Sequence, residues 1–271
     1  MVNDAMQSVS SDQRRKPSRE LTVLPVKGES PKRARATAAY LNLAYRDDGG
    51  SSGPHLVVGE TATWLELEGA KVTAQFDSSA MRHRRRGGHN ELLGRAIGVK
   101  ENCFPTVFDA TGGLARDAFV LADLGCRVTV CERVPVLAWL VQDALEAAQV
   151  SAHDHVREAV GRMRVIAADS AQLTVEERSV LYLDPMFPER KKAAAVRKEA
   201  AALQYLAEAL EDEIDLWEWA WRQPVERIVV KRPLRAPTLG PQNPSHTLSG
   251  KAIRFDVFVR QRGNGGPSDR D

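Results

Sequence analysis

Cysteine is scarce in this chain, and what there is excludes two classes of protein. Cys103, Cys126 and Cys131 are three in number, an odd count with no Cys-x-x-Cys pair and no zinc-ligand spacing. A disulfide-stapled scaffold and a structural zinc module are therefore both excluded, and the thiols read as reduced and mostly buried, as in a cytosolic protein. No apolar run approaches a membrane span, and the polar N-terminus up to Arg19 lacks the apolar core of a signal peptide. A soluble, cytoplasmic protein with no membrane partner and no metal is the expectation. Charge of one sign is also missing from the sum, which is only +2.

The distribution of that charge is uneven. Arg82, Arg84, Arg85, Arg86, Arg95 and Lys100 face only Glu91 in their stretch, while Arg190, Lys191, Lys192, Arg197 and Lys198 form a second basic group. Arg227, Lys231, Arg232 and Arg235 form a third, and acid gathers on one segment from Glu208 to Glu218. A basic face that releases counterions from a polyanion fits this pattern, and so does a set of solvated surface charges.

With 43% hydrophobic residues over 271 positions, the chain can build a large core without staples. Residues 1–20 read as a flexible tail, 21–80 as a small α+β subdomain, 81–260 as the main domain and 261–271 as a second tail. Within the subdomain, strands are expected at Leu21–Pro25, His55–Val58, Thr63–Leu67 and Val72–Phe76, with a helix over Pro31–Tyr45. Beyond it, strands reaching Asp109, Glu132, Ala167, Leu183 and Lys231 alternate with helices over Leu114–Leu124, Pro135–Ala148 and Lys191–Leu210, and a late strand covers Ile253–Val259. Such alternation implies a parallel sheet covered on both faces, that is, a Rossmann-like α/β fold.

Ligands of such sheets bind beyond the carboxyl ends of the strands. There the sequence places Asp109-Ala110-Thr111-Gly112-Gly113, whose Gly112 and Gly113 permit a tight turn and close backbone approach. It lacks the three-glycine spacing of a nicotinamide fingerprint. Glu132 ends the next strand, where a carboxylate can accept from both ribose hydroxyls; an exposed capping Glu is the alternative. Asp169-Ser170 follows the third strand and can reach an adenine or serve as a turn and N-cap. Asp184-Pro185-Met186-Phe187-Pro188 follows the fourth. Two prolines stiffen that loop, so the carboxylate of Asp184 and the carbonyl of Pro185 can hold the N–H groups of an aromatic amine while Phe187 stacks on the base. Catalysis is accordingly expected from Asp184, Pro185 and Phe187. Arg82, Arg84, Arg85, Arg86, Lys191, Lys192, Lys231 and Arg232 are the candidate contacts to the phosphates of a polyanion. His153 and His155 read as surface residues, and Trp217, Trp219 and Trp221, at spacing two, cannot all share one helix face.

Read together, the run from Asp109 to Ala122, then Gly125 to Val128, Glu132 to Val136, Tyr182 to Pro188, Val229 to Pro233 and Arg254 to Val257 resemble the methyltransferase J family, which methylates N2 of a guanosine in bacterial small-subunit (16S) ribosomal RNA. The stretch Ala80 to Gly88 fits the same pattern. The resemblance implies a class I S-adenosylmethionine-dependent fold. It also implies that Arg116, Asp117, Glu132, Arg133, Asp169, Ser170 and Asp184 contact S-adenosylmethionine, beside Asp109, Gly112 and Gly113. The implied partner is small-subunit ribosomal RNA or the 30S particle. Two departures stand out: the family's A-G-L-G reads Gly112-Gly113-Leu114-Ala115, and its Ser-Ser reads Asp169-Ser170. Rival expectations are an amino-methyltransferase for DNA or protein glutamine, and a non-catalytic assembly factor that retains the fold.

Overall fold

The computed structural model describes residues 21–48, 53–67, 70–79, 81, 89–185 and 213–260. The tails, Arg82, Arg84, Arg85, Arg86, Phe187, Lys191, Lys192 and the expected helix Lys191–Leu210 lie outside the described residues.

The first part builds a five-stranded sheet from β1 (Thr22–Pro25), β2 (Ala44–Tyr45), β3 (His55–Val58), β4 (Thr63–Leu67) and β5 (Ala70–Val72), in the order β2-β1-β3-β4-β5. Helix α1 (Lys32–Leu41) connects β1 to β2 and packs on the sheet through Ala34, Thr37 and Ala38. The expected helix to Tyr45 stops early because Asn42 takes a left-handed turn at φ 54°, a conformation its short polar side chain tolerates. The N–H of Leu43 then closes the helix on the Ala38 carbonyl at 2.9 Å, and the chain is released into β2. The strand expected at Val72–Phe76 lies earlier, at Ala70–Val72, where it pairs antiparallel with β4.

The second part adds α2 (His89–Ile97), β6 (Thr106–Asp109), α3 (Arg116–Asp123), β7 (Arg127–Glu132), α4 (Pro135–Ala148), α5 (Asp154–Val160) and β8 (Met163–Ala167). It continues with β9 (Val180–Leu183), α6 (Glu213–Arg222), β10 (Arg227–Pro233), β11 (His246–Ser249) and β12 (Ile253–Val259). The seven strands run β11-β12-β10-β9-β6-β7-β8, with β10, β9, β6, β7 and β8 parallel and β12 antiparallel to β10. Burial explains the texture of the central strands: Val128 to Cys131 are all buried, the pattern of a parallel strand covered on both faces. Helix α4 carries Pro135 in its first turn, where a missing N–H costs nothing, and buries Leu137, Leu140, Val141 and Leu145. Helix α3 begins two residues later than expected, because Ala115 sits at φ 54° and delays helical geometry to Arg116.

The two parts share one hydrophobic core. Phe76 stacks on Phe119 of α3 with ring centroids 5.2 Å apart, and Arg33 of α1 pairs with Asp143 of α4. Helices α2 and α6 and strand β11 have no counterpart among the elements expected from the sequence. Trp217 and Trp221, four apart on α6, do share a face: they stack at 5.4 Å, and Trp217 also packs on Phe258 at 4.7 Å. Trp219 points elsewhere, its Nε1 donating to the Leu173 carbonyl at 3.0 Å. Their role is to fasten α6 to the sheet.

Candidate active site

The strand order reverses between β6 and β9, so the crevice of this sheet opens where those two strands end. Asp109 ends β6 and Asp184 follows β9, and Thr111 ties the two loops together. Its Oγ1 accepts the Asp184 backbone N–H at 2.7 Å, while its own N–H donates to Asp109 Oδ1 at 3.1 Å. Asp109 is almost wholly buried, and its carboxyl is pushed up to about 7, first by burial and then by the nearby charges of Asp184 and Glu132.

Gly112 lies against β7, donating to the Cys131 carbonyl at 2.9 Å. A Cβ there would meet Val130 Cγ1 at 2.6 Å, so the turn needs glycine to pass this close. Gly113, at φ 52°, donates to Glu132 Oε2 at 2.7 Å, and the N–H of Val134 donates to Oε1 at 2.7 Å. Glu132 is thus a buried brace between two loops, not an exposed cap. Burial raises its pKa, and the backbone N–H groups of Val134, Gly113 and Arg133, with the Arg133 charge, pull against that shift. Each carboxylate oxygen retains a further lone pair for a ligand hydroxyl.

Asp169 caps the 3-10 turn at Ser170–Gln172, its Oδ1 accepting the Ala171 N–H at 2.9 Å, and Ser170 is buried. Arg116 is exposed and Arg133 half-buried, both beside the crevice loops. A cavity of about 470 Å³ opens farther along, between Leu173, Thr174 and α6, away from the β6–β9 crevice.

Lys231 departs from expectation. Its Nζ lies 2.7 Å from Asp184 Oδ2 and 2.7 Å from Asp117 Oδ2, and its side chain is 19% exposed. Asp117 also accepts the Tyr182 hydroxyl at 2.7 Å. Arg232 is buried to 1% exposure and donates through Nε to the Pro237 carbonyl at 2.9 Å. Neither side chain lies on a phosphate-gripping rim. Successive residues of a strand point to opposite faces, so Lys231 turns toward α3 and Arg232 toward the other face. Pro185 is buried next to Asp184. Thr111, inside the Asp109–Gly113 turn, and Tyr182, within an apolar strand, carry no sequence signal of these contacts.

His153 is exposed at the start of α5, stacked on the half-buried His155 at 5.6 Å. Cys103, Cys126 and Cys131 are all free, the last two buried. Among the described residues, no helix is long and apolar enough to cross a membrane, and no group of His, Cys, Asp or Glu side chains could hold a metal ion.

A family model for putative SAM-dependent methyltransferases matches residues 48–260. With the sheet order, that makes the fold a Rossmann-like class I methyltransferase fold and S-adenosylmethionine its cofactor. A ribosomal RNA small subunit methyltransferase J of Cellvibrio japonicus is 43% identical over 221 residues, 76% of this chain and 83% of the relative. Its counterpart in Hydrogenovibrio crunogenus is 38% identical over 235 residues, 83% of this chain and 84% of the relative. The crystal structure of a SAM-dependent methyltransferase from Neisseria gonorrhoeae superposes with a TM-score of 0.68 at 28% identity, covering 92% of this chain and 97% of that one. The chain belongs to the ribosomal RNA small subunit methyltransferase J family.

Proposed function

We propose that this chain methylates the exocyclic N2 amine of a guanosine in 16S ribosomal RNA, in the cytoplasm, on free RNA or on the 30S particle. The observation that carries the reading is the placement of Asp184 and Pro185 beyond β9, at the sheet's switch point, with Thr111 holding the Asp184 backbone. The family membership and the relatives' names support ribosomal RNA as the substrate.

The residues fit the cofactor. The loop at Gly112 runs too close to β7 for any side chain, leaving backbone beside the crevice. Glu132 keeps acceptor capacity for ribose hydroxyls, and Asp109, Asp117, Glu132 and Asp184 favour a cationic ligand. On this reading Asp109, Gly112, Gly113, Arg116, Asp117, Glu132, Arg133, Asp169, Ser170 and Asp184 form the S-adenosylmethionine site, Asp117 from behind Lys231. The bound group supplies an electrophilic methyl on a positively charged sulfur. An aromatic amine is a poor nucleophile because its lone pair is delocalised into the ring, so orientation contributes most. Asp184 and the Pro185 carbonyl accept its two N–H groups, aim the nitrogen lone pair and stabilise the positive charge that develops there. Phe187 stacks on the guanine. Residues 21–80 act as a subdomain beside the methyltransferase domain of residues 81–260. The basic residues Arg82, Arg84, Arg85, Arg86, Lys191 and Lys192 are the proposed contacts to RNA phosphates.

Single-turnover methyl transfer to small-subunit particles, run beside cofactor calorimetry, tests the assignment. Asp184→Ala is expected to bind cofactor and lose nearly all activity, and Asp184→Asn to keep some of it through its remaining acceptor oxygen. Wild-type rates in Asp184→Ala would make this loop structural. Methyl incorporated into DNA or protein glutamine, with RNA left untouched, would replace the substrate.

A further inference from the structure

We infer that Lys231 is a positioning residue for methyl transfer, clamping the Asp184 carboxylate between β10 and the first turn of α3. The inference rests on the proposed role of Asp184 as the acceptor of the substrate amine.

The geometry is that of a bridge. Nζ stands 2.7 Å from one oxygen of Asp184 and 2.7 Å from one oxygen of Asp117, and Asp117 is steadied in turn by the Tyr182 hydroxyl at 2.7 Å. Parallel register pairs Val230 with Leu183, so Lys231, still within β10, lies beside Asp184, just past the end of β9. The Asp184 main chain is pinned by Thr111 and by the rigid proline that follows. Its side chain would still be free to rotate about χ1 without a partner. Lys231 takes Oδ2 and so fixes the rotamer, and among the described residues Oδ1 has no hydrogen-bond partner. With the Asp184 side chain 36% exposed, one edge remains open toward the crevice.

Charge gives the same answer. Asp109, Glu132 and Asp184 lie at neighbouring strand ends and Asp117 in the first turn of α3, and Lys231 is the cation paired with Asp117 and Asp184. Without it, repulsion would turn the most exposed carboxylate, Asp184, outward to water. Because the lysine is mostly shielded from solvent, the bridge is screened far less than a surface ion pair.

Two readings of Lys231 diverge in kinetics. A phosphate contact would raise KM for RNA and leave kcat alone, whereas a clamp on Asp184 governs kcat. Lys231→Met is expected to lower single-turnover methylation of small-subunit particles about 100-fold, the cost of misplacing a reacting group by roughly 1 Å, with cofactor Kd and particle KM within about threefold of wild type. Lys231→Arg keeps the cation and is expected to recover at least about tenfold of that loss. Lys231→Gln keeps a polar side chain in the same space and covers the case in which Lys231→Met does not fold, with cofactor binding reporting the folded fraction of each variant. A lysine needed only for folding would show wild-type kcat per folded, cofactor-binding molecule; the positioning role keeps it slow. The proposal is overturned by wild-type kcat in Lys231→Met or Lys231→Gln, or by a loss confined to KM. Unmethylated particles with wild-type protein would instead sink the substrate reading, and the proposal with it.

Discussion

Asp109 makes the stability of this protein run against the usual acid trend at one group, and Asp109→Asn isolates that effect. The carboxyl stands at about 7 in the folded chain against 3.8 for an ordinary aspartate. Because the folded value is the raised one, folding favours the protonated acid. This contribution is fully present below the unfolded pKa, declines as pH rises from about 4, and is gone above about 7. A gap of roughly three pH units corresponds to an upper bound of about 4 kcal/mol. Between about pH 5 and pH 8 the wild type should therefore lose roughly 2–3 kcal/mol relative to the variant. Asparagine keeps the acceptor oxygen for the Thr111 N–H and cannot ionise, so titrating groups remote from Asp109 cancel in the comparison. Urea unfolding of both proteins across that range, without cofactor, measures the difference directly. Asp109→Asn should be the more stable protein at the alkaline end, with the advantage shrinking toward acid. A difference that stays constant with pH would refute a raised Asp109, and a wild type gaining on the variant at alkaline pH would reverse the sign.

Glu132→Ala removes the acceptor for two backbone N–H groups and should cost about 2–4 kcal/mol of stability, with cofactor affinity weakened by about 1–3 kcal/mol; unchanged affinity by calorimetry would remove Glu132 from the cofactor site. Gly240, at φ 75°, sits where a methyl would overlap the Trp217 ring, so Gly240→Ala should destabilise by roughly 2–4 kcal/mol in thermal or urea melts. A quadruple neutralisation of Arg84, Arg85, Lys191 and Lys192 should weaken RNA binding and flatten its salt dependence while cofactor affinity holds; an unchanged salt slope would return these four to ordinary surface charge.

Much of this protein was decided locally and could be read from the chain. Central strands such as Val128–Cys131 are apolar but for Thr129 because they are covered on both faces, and Pro135 marks a helix start because its ring suits the first turn. Ligands of such a sheet bind at the loops that follow its strands, and the order Asp109, Gly112, Glu132, Asp184 along the chain marks the proposed site there. Partners separated by long stretches of chain were not legible. Nothing local says that the Lys231 ammonium meets Asp117, over a hundred residues earlier, or that Arg232 beside it is buried on a carbonyl. A basic residue late in the sequence looks the same whether it faces RNA or a carboxylate. The side a residue takes on β10, and the helix packed against that side, settle which it is. The left-handed turns at Asn42 and Ala115 are likewise invisible to periodicity, since each is imposed by what the chain must reach next. Sequence fixes which chemistry is available at each strand end; tertiary packing chooses the partners, because ion pairs and burial depend on distances that only the folded chain sets.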